Sequence, residues 1–325
     1  MTIGKKPMKS GSSLQALRIK YRSCEGKRIT ITPYSFPQQH HYNFNNVLVK
    51  KVHTNGRNGV SLQVVAEGSP SQCFLIKIPL RPQGIKEGSQ WKWEEDTPQP
   101  QIIPIRGIGG IQKGRKSDFC IISEYIEGIT LKKYLEMEET PKDLEAVLVL
   151  AKRLADGLRE LKQLGLVHID IKPDNIMIPK EGEEYKIEQA RIIDLGMAVH
   201  VSDPDFYFLN YKFAPAGFDN YNYLAPEVVI RECPVYASDV YSWGAVVYEM
   251  MRGVPPREIK VNKLTKSAVR ASFKNMVTTS QRVNFDEHLR FPPLDKLLER
   301  ALNPIPNARP TADELVTGLE KLRLS

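Results

Sequence analysis

Cysteine is scarce and scattered in this chain of 325 residues. The four cysteines form no C-x-x-C pair and lie far apart, at Cys24, Cys73, Cys120 and Cys233. A structural zinc site or a disulfide framework needs more closely spaced or more numerous cysteines. The sequence therefore indicates neither, and we expect free thiols in a reducing compartment.

Long hydrophobic runs are also missing. No apolar stretch approaches the roughly 20 residues that a transmembrane helix requires. Residues 1–6 lack the apolar core of a secretory signal. We therefore expect a soluble, intracellular protein located in the cytoplasm, with no membrane span.

Dense arrays of Lys and Arg are absent, although the net charge is +8 and the pI is near 9.1. Basic residues come in short runs such as Lys5-Lys6, Lys50-Lys51 and Lys132-Lys133. Positive charge that is distributed in this way favours solubility and attraction to anionic ligands or acidic partners. We expect no sequence-specific binding of nucleic acid.

The first third of the chain has the pattern of β-strands. Residues 1–13 are basic and rich in Gly and Ser, which predicts a mobile tail. Residues 28–34 alternate apolar and polar side chains, which predicts an extra strand that Pro33 ends early. Three β-branched runs follow, separated by turns, at residues 47–52, 61–65 and 73–78. Short runs joined by tight turns predict an antiparallel sheet.

The hydrophobic period changes from two to about 3.6 after residue 127, which predicts a lobe boundary. Apolar residues at helical spacing predict a long amphipathic helix over residues 144–164, capped by residues 140–143 and ended by Gly165. A second apolar helix is predicted from Ser238 to Gly253. The last two hundred residues should therefore be mainly helical.

Two short motifs carry the chemistry of the chain. The run H-I-D-I-K-P-D-N occupies residues 168–175, and D-L-G follows at residues 194–196, nineteen residues after Asn175. Together they supply two carboxylates, an amine and an amide, which suit a site that aligns an acceptor hydroxyl and neutralises phosphate oxygens. Either motif alone is common in polar turns. Their order and the hydrophobic runs beside them favour a functional site.

This pattern resembles the catalytic loop H-R-D-x-K-x-x-N and the D-F-G motif of eukaryotic-type Ser/Thr protein kinases, over about the last 280 residues. The resemblance implies an α+β, bilobal protein-kinase-like fold. It places an N-terminal extension, basic and partly disordered, at residues 1–44. A small antiparallel β-rich N-lobe then covers residues 45–127, and a larger, mainly helical C-lobe covers residues 128–325. It also implies transfer of the γ-phosphate of ATP to Ser or Thr hydroxyls of protein substrates.

The resemblance assigns a role to each residue of the two motifs. Asp170 is the expected catalytic base for the acceptor hydroxyl, and Lys172 steadies the transferring phosphate. Asn175 and Asp194 are expected to hold Mg²⁺, which prefers hard oxygen ligands.

Residues of the smaller lobe are expected to bind the phosphates of ATP. Lys77 ends the third strand as the Ala-Ile-Lys lysine does in the family. The resemblance also implies a glutamate partner for Lys77, for which Glu94 is the first choice and Glu87 and Glu95 are the alternatives. Gly56 and Gly59 keep two of the three glycines of the phosphate-covering G-x-G-x-x-G loop, whereas Thr54 replaces the first. A solvated lysine and a plain glycine hairpin are the ordinary alternatives.

The run I-I-S-E-Y-I-E-G at residues 121–128 is similar to the hinge of the family. The resemblance implies that backbone groups of Glu124 and Ile126 bind adenine. A strand followed by a simple turn is the ordinary alternative.

Two further matches predict structural contacts in the larger lobe. The sequence A-P-E at residues 225–227 and the distant Arg309 match an ion pair of the family, so we expect a buried Glu227–Arg309 pair. Asp239 opens the second helix, and the resemblance implies that it braces the backbone of the catalytic loop.

One departure from the family motif and two alternative functions bear on the expected activity. Ile169 replaces the Arg that in many kinases receives a phosphate of the activation segment, so activity should not require that phosphorylation. A pseudokinase that serves as an ATP-binding scaffold is one alternative, because the glycine loop is incomplete. A small-molecule phosphotransferase is the other, although such enzymes lack the set of Lys172, A-P-E and Arg309.

Overall fold

The computed structural model describes most of the chain, with gaps. The described residues are 10–35, 43–54, 59–67, 72–79, 100–113, 116–138, 143–202, 221–230, 232–257, 266–278, 283 and 291–323. The chain forms two compact units. The first comprises Met1–Glu95 and Pro104–Tyr125, and the second comprises Asp96–Ile103 and Ile126–Ser325.

The first unit is built on one antiparallel sheet. Its strands are β1 Arg28–Ile29, β2 Ile31–Ser35, β3 Asn43–His53, β4 Gly59–Glu67, β5 Cys73–Pro79, β6 Ile105–Lys113 and β7 Lys116–Glu124. The order in the sheet is β1-β3-β4-β5-β7-β6-β2. Only Thr30 separates β1 from β2 in the chain, so one continuous stretch pairs with β3 at one end of this order and with β6 at the other. We infer that the sheet closes on itself as a barrel. Closure leaves fewer unpaired strand edges than an open sheet would have.

The three strands predicted from β-branched runs are all present as β3, β4 and β5; β3 and β4 extend several residues beyond the predicted bounds, and β5 extends one residue beyond them. Alternate side chains of β5 enter the barrel, where Phe74, Ile76 and Ile78 are buried. The side chain of Lys77 lies between two of these inward residues and therefore points to the opposite face of the sheet.

The predicted extra strand near residues 28–34 is also present, but its predicted early end at Pro33 is wrong. The strand β2 continues to Ser35, and its register against β6 shifts between Pro33 and Ser35. A bulge of this kind lets a strand tolerate the missing N–H of proline.

The helix α1, Ser10–Arg22, was not predicted from the sequence, and residues 10–13 belong to it although they were expected to be mobile. Its apolar pattern is weak, and the helix is stabilised by contacts with the sheet. Tyr21 is 1% exposed in the core of the barrel, and its hydroxyl donates to Asp118 Oδ2 over 2.5 Å.

The second unit is mainly helical. Its helices are α2 Leu131–Glu136, α3 Leu144–Gln163, α4 Pro226–Val229, α5 Tyr236–Arg252, α6 Lys266–Thr278, α7 Pro292–Ala301 and α8 Ala312–Arg323. Its strands are β8 Gly128–Thr130, β9 Leu166–Val167, β10 Ile176–Glu181, β11 Glu184–Tyr185, β12 Arg191–Ile192 and β13 Val199–His200. Across the described residues, no helix combines the length and the apolar character that a membrane crossing needs.

The predicted long helix is α3, and it leads directly to the candidate site. Asp143 is its N-cap and accepts a hydrogen bond from the Ala146 amide over 2.9 Å. Gly165 follows the helix with φ +71°, a conformation that favours glycine. The buried face of α3 packs against α5 and α8, and the indole N–H of Trp243 donates to the Ala151 carbonyl over 2.9 Å. A rigid helix therefore precedes β9 and the loop after it.

Candidate active site

The loop after β9 brings three predicted residues together. The ammonium of Lys172 lies 2.7 Å from both carboxylate oxygens of Asp170. The amide nitrogen of Asn175 donates to the backbone carbonyl and to Oδ2 of Asp170, over 2.8 Å in each case. This follows from local sequence, because residue 172 is extended and Pro173 begins a 3₁₀ turn that points Asn175 back at Asp170. The carboxylate of Asp170 is thus fixed by an amine and an amide.

The amide oxygen of Asn175 is left for another ligand. The nitrogen of this amide donates both hydrogen bonds to Asp170, while the oxygen accepts no hydrogen bond from the described part of the chain. A hard oxygen in this position suits a cation such as Mg²⁺.

Asp194, the second predicted metal ligand, lies on a segment joined to this loop. The Ile193 amide donates to the Asn175 carbonyl over 2.9 Å. Asp194 itself has φ +68° and ψ +65°, and its Oδ1 accepts from the Gly196 amide over 3.2 Å. A non-glycine residue in the left-handed region is a sign of a constrained functional position.

Within the described residues, no cluster of three or more His, Cys, Asp or Glu side chains could hold a metal ion. Mg²⁺ needs no such cluster, because it takes one or two protein oxygens and fills its octahedron with phosphate and water. Asn175 and Asp194 are the residues that could hold it.

His168 bridges the two segments, a role that the sequence reasoning missed. Its ring is fully buried, its Nε2 lies 3.1 Å from the Ile193 carbonyl, and its Nδ1 accepts from the Asp170 amide over 3.3 Å. These partners require the proton on Nε2. Burial lowers the pKa of His168, which favours this neutral form. The hydrophobic run that ends at His168 was the available signal of its burial.

Asp239 of α5 holds the backbone of the same loop, as the resemblance implied. Its Oδ2 accepts from the His168 amide over 2.7 Å and its Oδ1 from the Ile169 amide over 2.8 Å. Ile169 has φ +71° and is buried, so these bonds maintain a backbone conformation that is costly for a β-branched residue. Burial raises the pKa of Asp239 to about 7, while the two amide donors act in the opposite direction.

The predicted Glu227–Arg309 pair is present and buried. Arg309 donates from Nη1 to Glu227 Oε1 over 2.7 Å and from Nη2 to Oε2 over 2.8 Å. The hydroxyl of Ser238 also donates to Oε1, over 2.7 Å. Three carbonyls accept the remaining Arg309 bonds. Every charged group of the pair therefore has partners, as burial requires.

The expected phosphate-binding residues lie in the first unit. Lys77 is half-buried and pairs in register with Ser61 of β4 and Ile121 of β7. Gly59 begins β4, where a Cβ would lie 2.2 Å from the Ile78 carbonyl oxygen. The close approach of β5 is therefore sufficient reason for glycine at this position. Gly56 and Glu94, like Glu87 and Glu95 as alternatives to Glu94, lie outside the described residues.

The two expected adenine-binding residues flank the boundary between the units. Glu124 ends β7, and its carboxylate forms an ion pair with Arg106 of β6. Ile126 follows in irregular backbone, and its N–H and C=O make no hydrogen bond with described residues.

Comparison with known proteins supports the motifs. A probable serine/threonine-protein kinase of Dictyostelium discoideum is 28% identical over 68% of this chain and 12% of its own length. A probable serine/threonine-protein kinase of Clostridium perfringens is 27% identical over 69% of the chain and 30% of its own length. Serine/threonine-protein kinase PknB of Mycolicibacterium smegmatis is 31% identical over 48% of the chain and 24% of its own length. The match thus spans less than a third of each relative.

The family model described as the protein kinase domain matches residues 97–318 of this chain. These residues contain both motifs, the Glu227–Arg309 pair and Asp239. The prediction of the family is confirmed, and the chain belongs to the protein kinase family.

Proposed function

We propose that the chain is a Mg²⁺- and ATP-dependent protein kinase that phosphorylates Ser and Thr hydroxyls of protein substrates. The observation that carries this proposal is the fixed arrangement of Asp170 with Lys172 and Asn175. Family membership and the Ser/Thr kinase names of the relatives support it. On this proposal the β-rich and helical units correspond to the N-lobe and C-lobe of a bilobal kinase, for which the sequence predicted residues 45–127 and 128–325 after an extension at residues 1–44. The first unit also includes that extension.

Asp170 orients and deprotonates the acceptor hydroxyl in the proposed reaction. Lys172, which contacts both oxygens of Asp170, is close enough to the carboxylate to stabilise negative charge that develops on the transferred phosphate. Bound Mg²⁺ would neutralise phosphate charge, held by Asn175 Oδ1 and the Asp194 carboxylate. His168 and Asp239 keep these side chains in position.

The nucleotide contacts are assigned as the resemblance implied. Lys77 binds the α and β phosphates, the loop with Gly56 and Gly59 covers them, and backbone groups of Glu124 and Ile126 bind adenine. Two observations support these assignments: Lys77 is half-buried, and the backbone of Ile126 makes no hydrogen bond within the part of the chain that the structure describes.

The two alternatives explain the structure less well. A scaffold that only binds ATP would need no ion pair between Lys172 and Asp170, yet both residues are held in contact. A small-molecule phosphotransferase would not need the buried Glu227–Arg309 pair that follows A-P-E. A cytoplasmic location and the lack of specific nucleic-acid binding remain predictions from the sequence.

The proposal is tested by transfer of labelled γ-phosphate from Mg-ATP to a generic basic protein, followed by phosphoamino acid analysis. The parent chain should label Ser and Thr. Asp170→Asn should lower the rate by about 10²- to 10⁴-fold, the range for loss of a general base. Asp174→Asn is the matched control in the same loop, because the Asp174 side chain is 45% exposed and its ion-pair partner among the described residues is Lys132. Equal labelling by the parent and Asp170→Asn would reject the proposal.

A further inference from the structure

Residues 100–103, which we call the edge segment, lie against the strand that leads to Asp194. The Ile192 amide of β12 donates to the Gln101 carbonyl over 2.8 Å, and the Ile103 amide donates to the Ile192 carbonyl over 2.9 Å. The two backbones run parallel at this point, and β10 pairs with the other edge of β12. β12 is therefore held from both sides, and it ends two residues before Asp194.

Asp194 needs this support because of its backbone conformation. Its φ of +68° lies in the left-handed region, which is uncommon for a residue other than glycine. Such a conformation persists only where the surrounding structure fixes the chain on both sides. After Asp194, the Gly196 amide donates to the Asp194 carboxylate over 3.2 Å. Before it, Ile193 is bonded to Asn175 and His168, and β12 fixes the backbone one residue earlier.

One face of α3 packs against the edge segment and β12. Arg153, Gly157 and Glu160 have the spacing of residues that share one face of a helix. A Cβ at Gly157 would lie 2.8 Å from Ile192 Cδ1, so glycine lets α3 approach β12 closely. Arg153 donates to the carbonyl at the start of the edge segment over 3.2 Å and to the carbonyl just before β12 over 3.0 Å. This face of α3 therefore binds both backbones.

Glu160 holds the edge segment through its backbone amides. Its Oε2 accepts from the Gln101 amide over 2.9 Å, and its carboxylate also accepts from the Ile102 amide. Burial raises the pKa of Glu160, while these two amide donors act in the opposite direction. A hydrogen bond to a carboxylate is stronger than one between neutral groups. Gln101 is thus bonded to Glu160 through its N–H and to Ile192 through its C=O.

We propose that Glu160 is a positioning residue for the metal ligand Asp194. The Glu160 carboxylate fixes Gln101, the backbone of Gln101 fixes β12, and β12 fixes the constrained backbone of Asp194. This inference rests on the proposed function, in which Asp194 holds Mg²⁺. Glu160 acts in this role without contact with the metal or the nucleotide.

The test measures, by calorimetry, how tightly the full chain binds a non-hydrolysable ATP analogue, once with Mg²⁺ and once with EDTA in its place. Glu160→Ala removes the acceptor. With Mg²⁺ it should weaken binding about three- to ten-fold, because a hydrogen bond to a charged group corresponds to about a ten-fold change in an equilibrium constant and part of this reaches Asp194. Without Mg²⁺ binding should not change. Glu160→Gln can still accept from Gln101, so its affinity with Mg²⁺ should lie between those of the parent and Glu160→Ala.

Glu145→Ala serves as the matched control. Glu145 is an exposed carboxylate in the first turn of α3, at the end of the helix opposite to Glu160. Its loss should leave binding unchanged with and without Mg²⁺. The inference is overturned if Glu160→Ala weakens binding equally under both conditions, if its loss with Mg²⁺ is smaller than about three-fold, or if Glu145→Ala shows the same loss.

Hydrogen exchange separates this inference from the proposed function. In the chain without metal or nucleotide, Glu160→Ala should speed exchange at the Gln101 and Ile103 amides. Exchange at the Ser238 amide, which donates to the Val235 carbonyl at the start of α5, should stay as in the parent. An equal rise at Ser238 would indicate a general loss of stability and would reject a role directed at Asp194.

The two failures have different signatures. If the parent chain does not bind the ATP analogue with Mg²⁺, the proposed function fails, whatever exchange shows. Mg²⁺-dependent binding by the parent, together with unchanged exchange at Ile103 in Glu160→Ala, would reject the role of Glu160 alone.

Discussion

Replacing Arg309 by Met should strongly destabilise the helical unit. The substitution keeps an apolar stem of similar length but removes the guanidinium. Glu227 would lose both bonds to Arg309 and keep only the hydroxyl of Ser238 as a donor among the described residues. Since the Glu227 side chain is only 3% exposed, water cannot replace the lost partner.

The size of the effect follows from these contacts. Breaking a buried ion pair by removing one partner costs about 3–5 kcal/mol, because the other charge is stranded. Arg309 also satisfies the carbonyls of Asn303, Ala237 and Pro304, and these would lose a donor. We therefore expect a loss of at least about 4 kcal/mol. For a unit of about two hundred residues, this lowers the Tm by about 8–16 °C.

The assay is thermal unfolding of the full chain, followed by circular dichroism, for three variants. Arg309→Lys keeps the positive charge but loses the paired N–H donors of the guanidinium. Its Tm should therefore lie between the Tm of the parent and that of Arg309→Met. The double variant Glu227→Gln with Arg309→Met removes the stranded charge and should be more stable than Arg309→Met alone. If Arg309→Met melts within about 3 °C of the parent, or the double variant melts lowest, the reasoning about the stranded charge is wrong.

Three further outcomes are expected. Asp239→Asn should lower the free energy of unfolding by about 2 kcal/mol, because the Asn side chain has one oxygen and can accept only one of the two backbone N–H groups of His168 and Ile169. An unchanged Tm in thermal unfolding would contradict this. Burial and the charge of Lys51 lower the pKa of His53 below 6.5 in the folded chain. The unfolded chain therefore binds a proton at His53 more readily, and the free energy of unfolding should fall as the pH drops through about 6.5. His53→Gln should flatten that part of the pH profile of unfolding free energy, and an unaltered slope would exclude His53 as its source. Phosphatase treatment should leave turnover unchanged, since Ile169 offers no cation to a phosphate; lost turnover would refute this.

The catalytic loop was predictable because its contacts are local. Asp170, Lys172 and Asn175 lie within six residues, so their spacing and one proline determine how they meet. The Glu227–Arg309 pair spans 82 residues and was predictable only through the family resemblance. Composition and periodicity alone do not pair residues so far apart.

The closure of the barrel was not predictable in the same way. Alternation over residues 28–34 indicates a strand but not its partners, and β1 and β2 pair with β3 and β6 on opposite ends of the sheet order. The helix α1 depends on Tyr21 reaching Asp118, 97 residues away. Tertiary contacts override weak local propensity in such segments.

Gly59 shows a further limit of motif reasoning. Its place in the glycine pattern indicated a phosphate contact, whereas the structure supplies a packing reason, the Ile78 carbonyl of β5. A glycine in a motif can thus meet a packing requirement that the sequence does not reveal.

The most direct test of the account is a crystal structure of the chain with Mg²⁺ and a non-hydrolysable ATP analogue. We expect the metal about 2.1 Å from Asn175 Oδ1 and an Asp194 carboxylate oxygen. The ammonium of Lys77 should lie within hydrogen-bond distance of an α or β phosphate oxygen. A nucleotide and metal bound elsewhere, with Asn175 and Asp194 uncoordinated, would contradict the central claim.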